Sequence, residues 1–254
     1  MAAGKVIFVS AGPGAADLIT LRGARALAAA DVVLFDALTD PALRELAPQA
    51  RWLDVGKRGF TNSTAQTAIN ALLVKQALSH AVVVRLKGGD ASIFGRLEEE
   101  LLALGQAGIA CEVVPGVTAA LAAAAYTRRP LTRRGQGRSV SLTTAMTQEG
   151  DLRALRSADT EVFYMAGRQL AALSRKLVEA GWPADTLCSV VSRAGCVDAL
   201  ASEHPVSGLA AASLLHKGRP TVVTVGAGAR VVVKTVPKAP ELERPQSRAK
   251  TLSD

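Results

Sequence analysis

Histidine, cysteine and aromatic side chains are all scarce in this chain, and each scarcity removes a class of function. There are three histidines and three cysteines among 254 residues. Cys111, Cys188 and Cys196 are odd in number and nowhere spaced as CxxC, which argues against a disulfide framework and against a structural zinc site. Aromatics make up 4%, too few to line a nucleic-acid groove with stacking platforms. The apolar runs, such as residues 121–125, fall far short of the ~20 residues a membrane span needs. No basic leader precedes the strand-like run at Lys5, so no signal peptide is expected and the expected setting is the reducing cytoplasm.

What is present describes a folded chain. Hydrophobic residues are 49% and charged residues 20%, whereas disorder pairs low hydrophobicity with dense charge. The length fits one large domain or two small ones. The net charge is +8. Lys234, Lys238, Arg244, Arg248 and Lys250 against Glu241, Glu243 and Asp254 put +2 of this at the end of the chain and leave +6 for the body. That end also holds Pro237, Pro240 and Pro245 and reads as a disordered tail. A basic body suits a polyanion, either nucleic acid or a small polycarboxylate, or is simply a soluble basic surface.

Strand signals alternate with helix signals through the first half. Strands are expected at 5–10, 31–36, 81–86 and 111–114, with a weaker one at 51–55. Helices are expected at 17–30, 63–79 and 97–107, the second with Ile69, Leu72 and Leu73 at helical spacing. Such alternation implies βαβ units, a parallel sheet, and ligands at the carboxyl ends of its strands. The basic, proline- and glycine-punctuated stretch 126–137 reads as a linker. Beyond it, strands are expected at 139–144, 161–165, 187–191 and 221–225, and helices at 168–180 and 209–215. The expectation is an α/β protein of two domains, residues 1–128 and 129–233, with the tail at 234–254.

Three loops carry the chemistry. The first, Ala11-Gly12-Pro13-Gly14, has Asp17 where GxGxxG requires its third glycine, and Pro13 lacks an N–H donor, so a dinucleotide loop is disfavoured and a tight turn remains. The second, RLKGGDASIFGR at 85–96, follows the most apolar strand. Gly88 and Gly89 let a ligand approach the backbone, and Asp90 offers an acceptor to ribose hydroxyls or a counter-charge to a cation. It lacks GxxxxGK[ST], so a Walker-type phosphate cradle is disfavoured. The third, Pro115-Gly116-Val117-Thr118-Ala119-Ala120, opens an alanine-rich helix able to pack closely on the other domain or on a flat ligand.

These segments, together with DVVLFDALTDPAL and VGKRGFTNSTAQTAIN, resemble in order the signatures of the tetrapyrrole methylase family over about residues 5–230. LKGGD-x-x-IFGR with the preceding VGKR most resembles the branch that methylates uroporphyrinogen III. The resemblance implies an N-terminal, mostly parallel sheet domain and a C-terminal mixed-sheet α/β domain. S-adenosylmethionine would lie in the cleft between them and leave as S-adenosylhomocysteine, usually in a homodimer. It implies C-methylation of uroporphyrinogen III at C2 and C7 to precorrin-2, on the way to siroheme and cobalamin. The family's cofactor positions fall on Pro13, Gly88, Gly89, Asp90, Ile93, Thr118, Ala119 and Met165, and on Ala194 and Thr221 where the flanks are less alike. Its proton acceptor matches Asp36 and its proton donor Lys57.

The chemistry fits those residue types. A sulfonium methyl is already activated, so the protein mainly has to orient an electron-rich pyrrole carbon in line with it. Attack leaves a positive, proton-bearing macrocycle that a carboxylate can stabilise or deprotonate. The substrate's eight carboxylates call for cations; Arg22, Arg58, Arg85, Arg96, Arg128, Arg129, Arg133 and Arg134 are the candidates. No metal, nucleic-acid or membrane partner is required. Plain rivals exist: Asp36 as a cap for the segment near Thr39, Lys57-Arg58 as solvated charge, Met165, Cys188 and Cys196 as packing groups. His80, His204 and His216 are given no role. The chain departs from the family's usual residues at Ala15, Ala91-Ser92, Arg133 and Arg193-Ala194-Gly195. Alternative functions are a later precorrin methyltransferase, the branch that methylates ribosomal RNA ribose, and a non-catalytic binder of adenosylmethionine or tetrapyrrole. A preceding dehydrogenase–chelatase module is not expected.

Overall fold

The computed structural model describes residues 4–56, 66–146 and 152–232. The expectations for Lys57, Arg58 and the tail at 234–254 lie outside them. Two five-stranded sheets organise the described residues. The first comprises β1 (Lys5–Ser10), β2 (Val32–Phe35), β3 (Arg51–Asp54), β4 (Val82–Lys87) and β5 (Cys111–Val114). Its order is β3-β2-β4-β1-β5 and every pairing is parallel.

Alternation along these strands divides the core between two faces. Val6, Phe8, Leu34 and Val83 face α2 (Gln66–Ser79) and α3 (Leu97–Gln106), meeting Ile69, Leu73 and Leu104. Ile7, Val9, Val33, Val84 and Leu86 face the other way, toward Leu27 of α1 (Leu21–Ala28) and Leu43 of a 3-10 segment at Pro41–Leu46. Both faces are covered, so the central strands are apolar almost throughout, as parallel sheets require. The chain leaves β1 to cover one face with α1 and leaves the adjacent β4 to cover the other with α3. The loops beyond these strands therefore part and open a crevice at the carboxyl edge.

The second sheet holds β6 (Val140–Thr144), β7 (Thr160–Tyr164), β8 (Leu187–Ser192), β9 (Leu200–Pro205) and β10 (Thr221–Gly226), ordered β6-β7-β10-β8-β9. Only β6 and β7 run parallel. One face packs Phe163, Val190 and Val223 against Leu170, Leu173 and Leu177 of α5 (Leu170–Glu179) and Ala212 of α6 (Ala212–Leu215). The other packs Val162, Val191 and Val222 against Ala120, Ala122 and Ala123 of α4 (Ala119–Thr127). The small residues of α4 thus serve the second sheet, one of the two uses expected for them.

Four expectations change. The helix expected at 17–30 is broken: a 3-10 turn at Ala16–Leu18 precedes α1, which starts where Thr20 Oγ1 accepts from Gly23 N at 3.1 Å. The helix expected at 209–215 is a 3-10 segment, Val206–Ala211, followed by the single turn of α6. β9 was not expected; it is an edge strand whose burial alternates residue by residue, and its sequence LASEHP is polar enough to hide a strand. The presumed linker also begins inside α4 and buries Arg129, which pairs with Glu203 of β9.

Candidate functional site

The three loops meet at the carboxyl edge of the first sheet. Gly12 and Gly89 exchange backbone hydrogen bonds, Gly12 N to Gly89 O at 3.2 Å and Gly89 N to Gly12 O at 2.7 Å. Ser10 Oγ, at the end of β1, accepts from Ala91 N at 3.0 Å. Asp90 Oδ1 accepts from Ser92 N at 2.9 Å and from the Ser92 hydroxyl, while Oδ2 accepts from Gly116 N at 2.8 Å. Burial would push this carboxyl up, but the bonds from Ser92 and Gly116 outweigh it and hold it below the usual range. Asp90 therefore ties the second loop to the third; Oδ1 already accepts two bonds, and Oδ2, with one, keeps a lone pair for a further donor.

The edge of the second sheet faces these loops. Met165 follows the end of β7, β8 runs into Arg193-Ala194, and β10 starts at Thr221, whose hydroxyl donates to Arg219 O at 2.8 Å. Contact across the halves is direct. Ala15 N donates to Gly195 O at 2.8 Å, and a Cβ on Gly14 would collide with Cys196 Sγ. Tyr164 OH lies 2.7 Å from Thr118 Oγ1 and accepts from Ala120 N at 3.3 Å. Phe94 packs edge-on against the Tyr164 ring, centroids 5.1 Å apart. Burial raises the Tyr164 phenol pKa, partly offset by its bonds to Thr118 and Ala120, so it serves as a neutral hydrogen-bonding strut.

The structure thus gathers Pro13, Gly88, Gly89, Asp90, Ile93, Thr118, Ala119, Met165, Ala194 and Thr221 on two facing edges, although Ala194 and Thr221 are themselves buried. The backbone there fits a ligand. Gly89 has φ +69° and nothing within 4 Å of where a Cβ would stand, so its backbone is bare to the crevice. Phe94, Arg96, Met165 and Arg193 all hold left-handed φ between 51° and 57°; such conformations cost about 1–3 kcal/mol each and gather at functional sites. Met165 is 42% exposed and Leu38, beside Gly88, 61%, giving the crevice apolar, solvent-facing side chains.

Asp36 follows β2 on the α2–α3 face. Its carboxylate does not cap the segment near Thr39. The Thr39 hydroxyl donates instead to Asp36 O at 2.8 Å, and it is Asp40 that caps, accepting from Ala42 N at 3.0 Å and from Ala16 N at 3.1 Å. Asp36 Oδ1 accepts from Arg85 Nη2 at 2.7 Å. Arg85 is buried and also donates from Nε to Glu100 Oε1 at 3.0 Å; Lys87 Nζ donates to Glu100 Oε2 at 2.7 Å. Arg85 is therefore not a rim cation for substrate carboxylates. Burial lowers the pKa of Lys87, with Arg85 adding to it and Glu100 opposing. Among the other rim candidates, Arg96 makes a two-pronged pair with Glu99 and Arg133 Nη1 donates to Arg230 O at 3.1 Å. Arg22 and Arg134 are exposed.

Sequence reading missed Ser10, Tyr164 and Glu100. A tyrosine ending an otherwise apolar strand, and a glutamate on the helix face that packs on the sheet, are the signals that point to the last two. Cys188 packs in the core as expected, its thiol pushed up to about 12 by burial. His216 is fully buried, with Nδ1 2.9 Å from Ser192 Oγ and Nε2 2.9 Å from Ser202 Oγ. No cluster of metal-ligating side chains occurs among the described residues, and no helix among them is long and apolar enough to cross a membrane.

Comparison with known proteins gives one consistent result. Residues 5–207 match the family model described as Tetrapyrrole (Corrin/Porphyrin) Methylases. The chain is 45% identical over 195 residues to a uroporphyrinogen-III C-methyltransferase of Pseudomonas aeruginosa, covering 75% of this chain and 80% of that one. It is 44% identical over 203 residues to siroheme synthase 1 of Yersinia pseudotuberculosis, covering 78% of this chain but only 43% of that longer protein. Among solved structures, the uroporphyrin-III C-methyl transferase of Thermus thermophilus complexed with S-adenosyl homocysteine superposes with a TM-score of 0.77 at 33% identity, over 88% of this chain and 97% of that one.

Proposed function

The chain belongs to the tetrapyrrole methylase family, and from that premise we infer that it is an S-adenosylmethionine-dependent C-methyltransferase that methylates uroporphyrinogen III at C2 and C7 to give precorrin-2. The observation that carries this reading is the convergence of the loops after β1, β4 and β5 on the Met165–Thr221 edge of the second sheet, with the Asp36 carboxylate at the end of the neighbouring strand. The domain division at 128/129, a cytoplasmic setting and homodimeric assembly belong to the same reading, as does the absence of nucleic-acid and membrane partners.

The bound cofactor supplies a methyl group already activated on a sulfonium. The chain's task is to hold and orient. Gly88 and Gly89 expose backbone to the adenosyl group, the remaining lone pair on Asp90 Oδ2 suits a ribose hydroxyl, and Ile93, Ala119 and Met165 offer apolar contact. Pro13, Thr118, Ala194 and Thr221 shape the two edges of the pocket. Leu38 and Phe94 present apolar surface suited to a flat macrocycle. Asp36 is the proposed acceptor of the proton released from the methylated ring, and Lys57 the proposed donor. The test is incubation with uroporphyrinogen III and methyl-labelled S-adenosylmethionine. A dimethylated tetrapyrrole is expected; cofactor binding without transfer to any tetrapyrrole overturns the assignment.

A further inference from the structure

Behind the crevice, the α2–α3 face of the first sheet contains a chain of buried charge that the reaction as described does not use. Alternation along β4 turns Arg85 and Lys87 to the same side as Val83, against α3. There they meet Glu100, which has no exposed surface. One Glu100 oxygen accepts from Arg85 Nε at 3.0 Å, the other from Lys87 Nζ at 2.7 Å, and Gln66 Nε2 reaches the first of these at 3.3 Å. Arg85 also donates to Leu34 O and Leu86 O through Nη1, and to Asp36 Oδ1 through Nη2.

The guanidinium is planar, so fixing Nε and Nη1 fixes the direction of Nη2. Nη2 holds Asp36, whose side chain is 32% exposed and stands directly after the carboxyl end of β2. A group pinned from behind and free in front has the arrangement of a pre-set proton acceptor.

We propose that Glu100 is a positioning residue for the methyl-transfer reaction, acting through Arg85 to hold the Asp36 carboxylate in its working orientation. This rests on the reading of Asp36 as the proton acceptor. Glu100 touches neither substrate nor cofactor. Its effect belongs in turnover, not in cofactor affinity, although Lys87 stands directly before the Gly88-Gly89 loop.

The test is a double-mutant cycle on the full chain, with turnover normalised to the fraction that binds S-adenosylhomocysteine. Glu100→Gln keeps the shape and one acceptor for Arg85 but turns an amide toward Lys87. It should lower kcat about tenfold to a hundredfold, as a small misplacement of a reacting group does, while the cofactor Kd changes less than about threefold. Glu100→Asp, charged but one methylene shorter, should fall between. In an Asp36→Asn background, Glu100→Gln should add little, because the two act as one unit. Equal fractional losses in both backgrounds, or a loss of cofactor affinity with kcat retained, overturns the proposal while leaving Asp36 in place. Wild-type kcat for Asp36→Asn removes the reading beneath it instead.

Discussion

The Tyr164 hydroxyl stands 2.7 Å from Thr118 Oγ1 and joins the second sheet to the loop that follows β5 of the first. It accepts as well from Ala120 N, at the start of α4. Removing it leaves the half-buried Thr118 hydroxyl and the buried Ala120 N–H without this partner. Tyr164→Phe should therefore cost about 1–3 kcal/mol of stability and weaken cofactor binding, because Thr118 and Ala119 lose their support. Chemical denaturation and calorimetric titration with S-adenosylhomocysteine check the two effects. Unchanged affinity would show that the bond is structural alone.

Gly89 separates backbone strain from access. Its φ of +69° costs an alanine about 1 kcal/mol, and the added methyl would project into space free of protein atoms. Gly89→Ala should thus fold with a melting temperature only a few degrees lower. Its cofactor Kd should rise at least about tenfold, equivalent to about 1.4 kcal/mol. A variant binding the cofactor normally would mean that the ligand does not approach this backbone.

Asp36→Asn keeps the shape and removes the basicity. Its kcat should fall by about two orders of magnitude or more, with cofactor affinity nearly unchanged. Steady-state kinetics beside equilibrium binding measure both. The reverse pattern, affinity lost and turnover kept, would take Asp36 out of the chemistry.

His216 gives a pH dependence with a definite sign. Burial, with His204 and Arg219 nearby, holds its pKa below the usual 6.5. The unfolded chain therefore binds this proton more readily than the folded one. The resulting stability is present in full above about pH 6.5 and is lost as pH falls from there through the lower folded-state value. Urea midpoints measured from pH 7.5 down to 5 should decline, and His216→Gln should flatten that decline. A slope unchanged in the variant would assign it to other groups.

The sequence was most readable where one physical signal dominated. Strands 5–10 and 111–114 coincide with β1 and β5, because burial on both faces or a short β-rich run between turns leaves little choice. The three loops were legible as strand-end turns, and their residues do meet. Contacts between distant segments were not legible. Glu100 reaches Arg85 across 15 positions, and Tyr164 reaches Thr118 across 46; neither spacing leaves a local pattern. Arg85 was misread as a rim cation, although its place in AVVVRL, two residues beyond the buried Val83, already set it on the covered face. The capping role considered for Asp36 falls in the fold to Asp40, whose second oxygen reaches Ala16.

The central claim is a location: one cofactor held between the Gly88–Ile93 and Thr118–Ala119 loops and the Met165–Thr221 edge. A crystal structure of this chain with S-adenosylhomocysteine tests it most directly. The account predicts the adenosyl group against the bare backbone of Gly89, with the sulfur directed toward the side of the crevice where Asp36 lies. An adenosyl group seated anywhere else on the chain would contradict it.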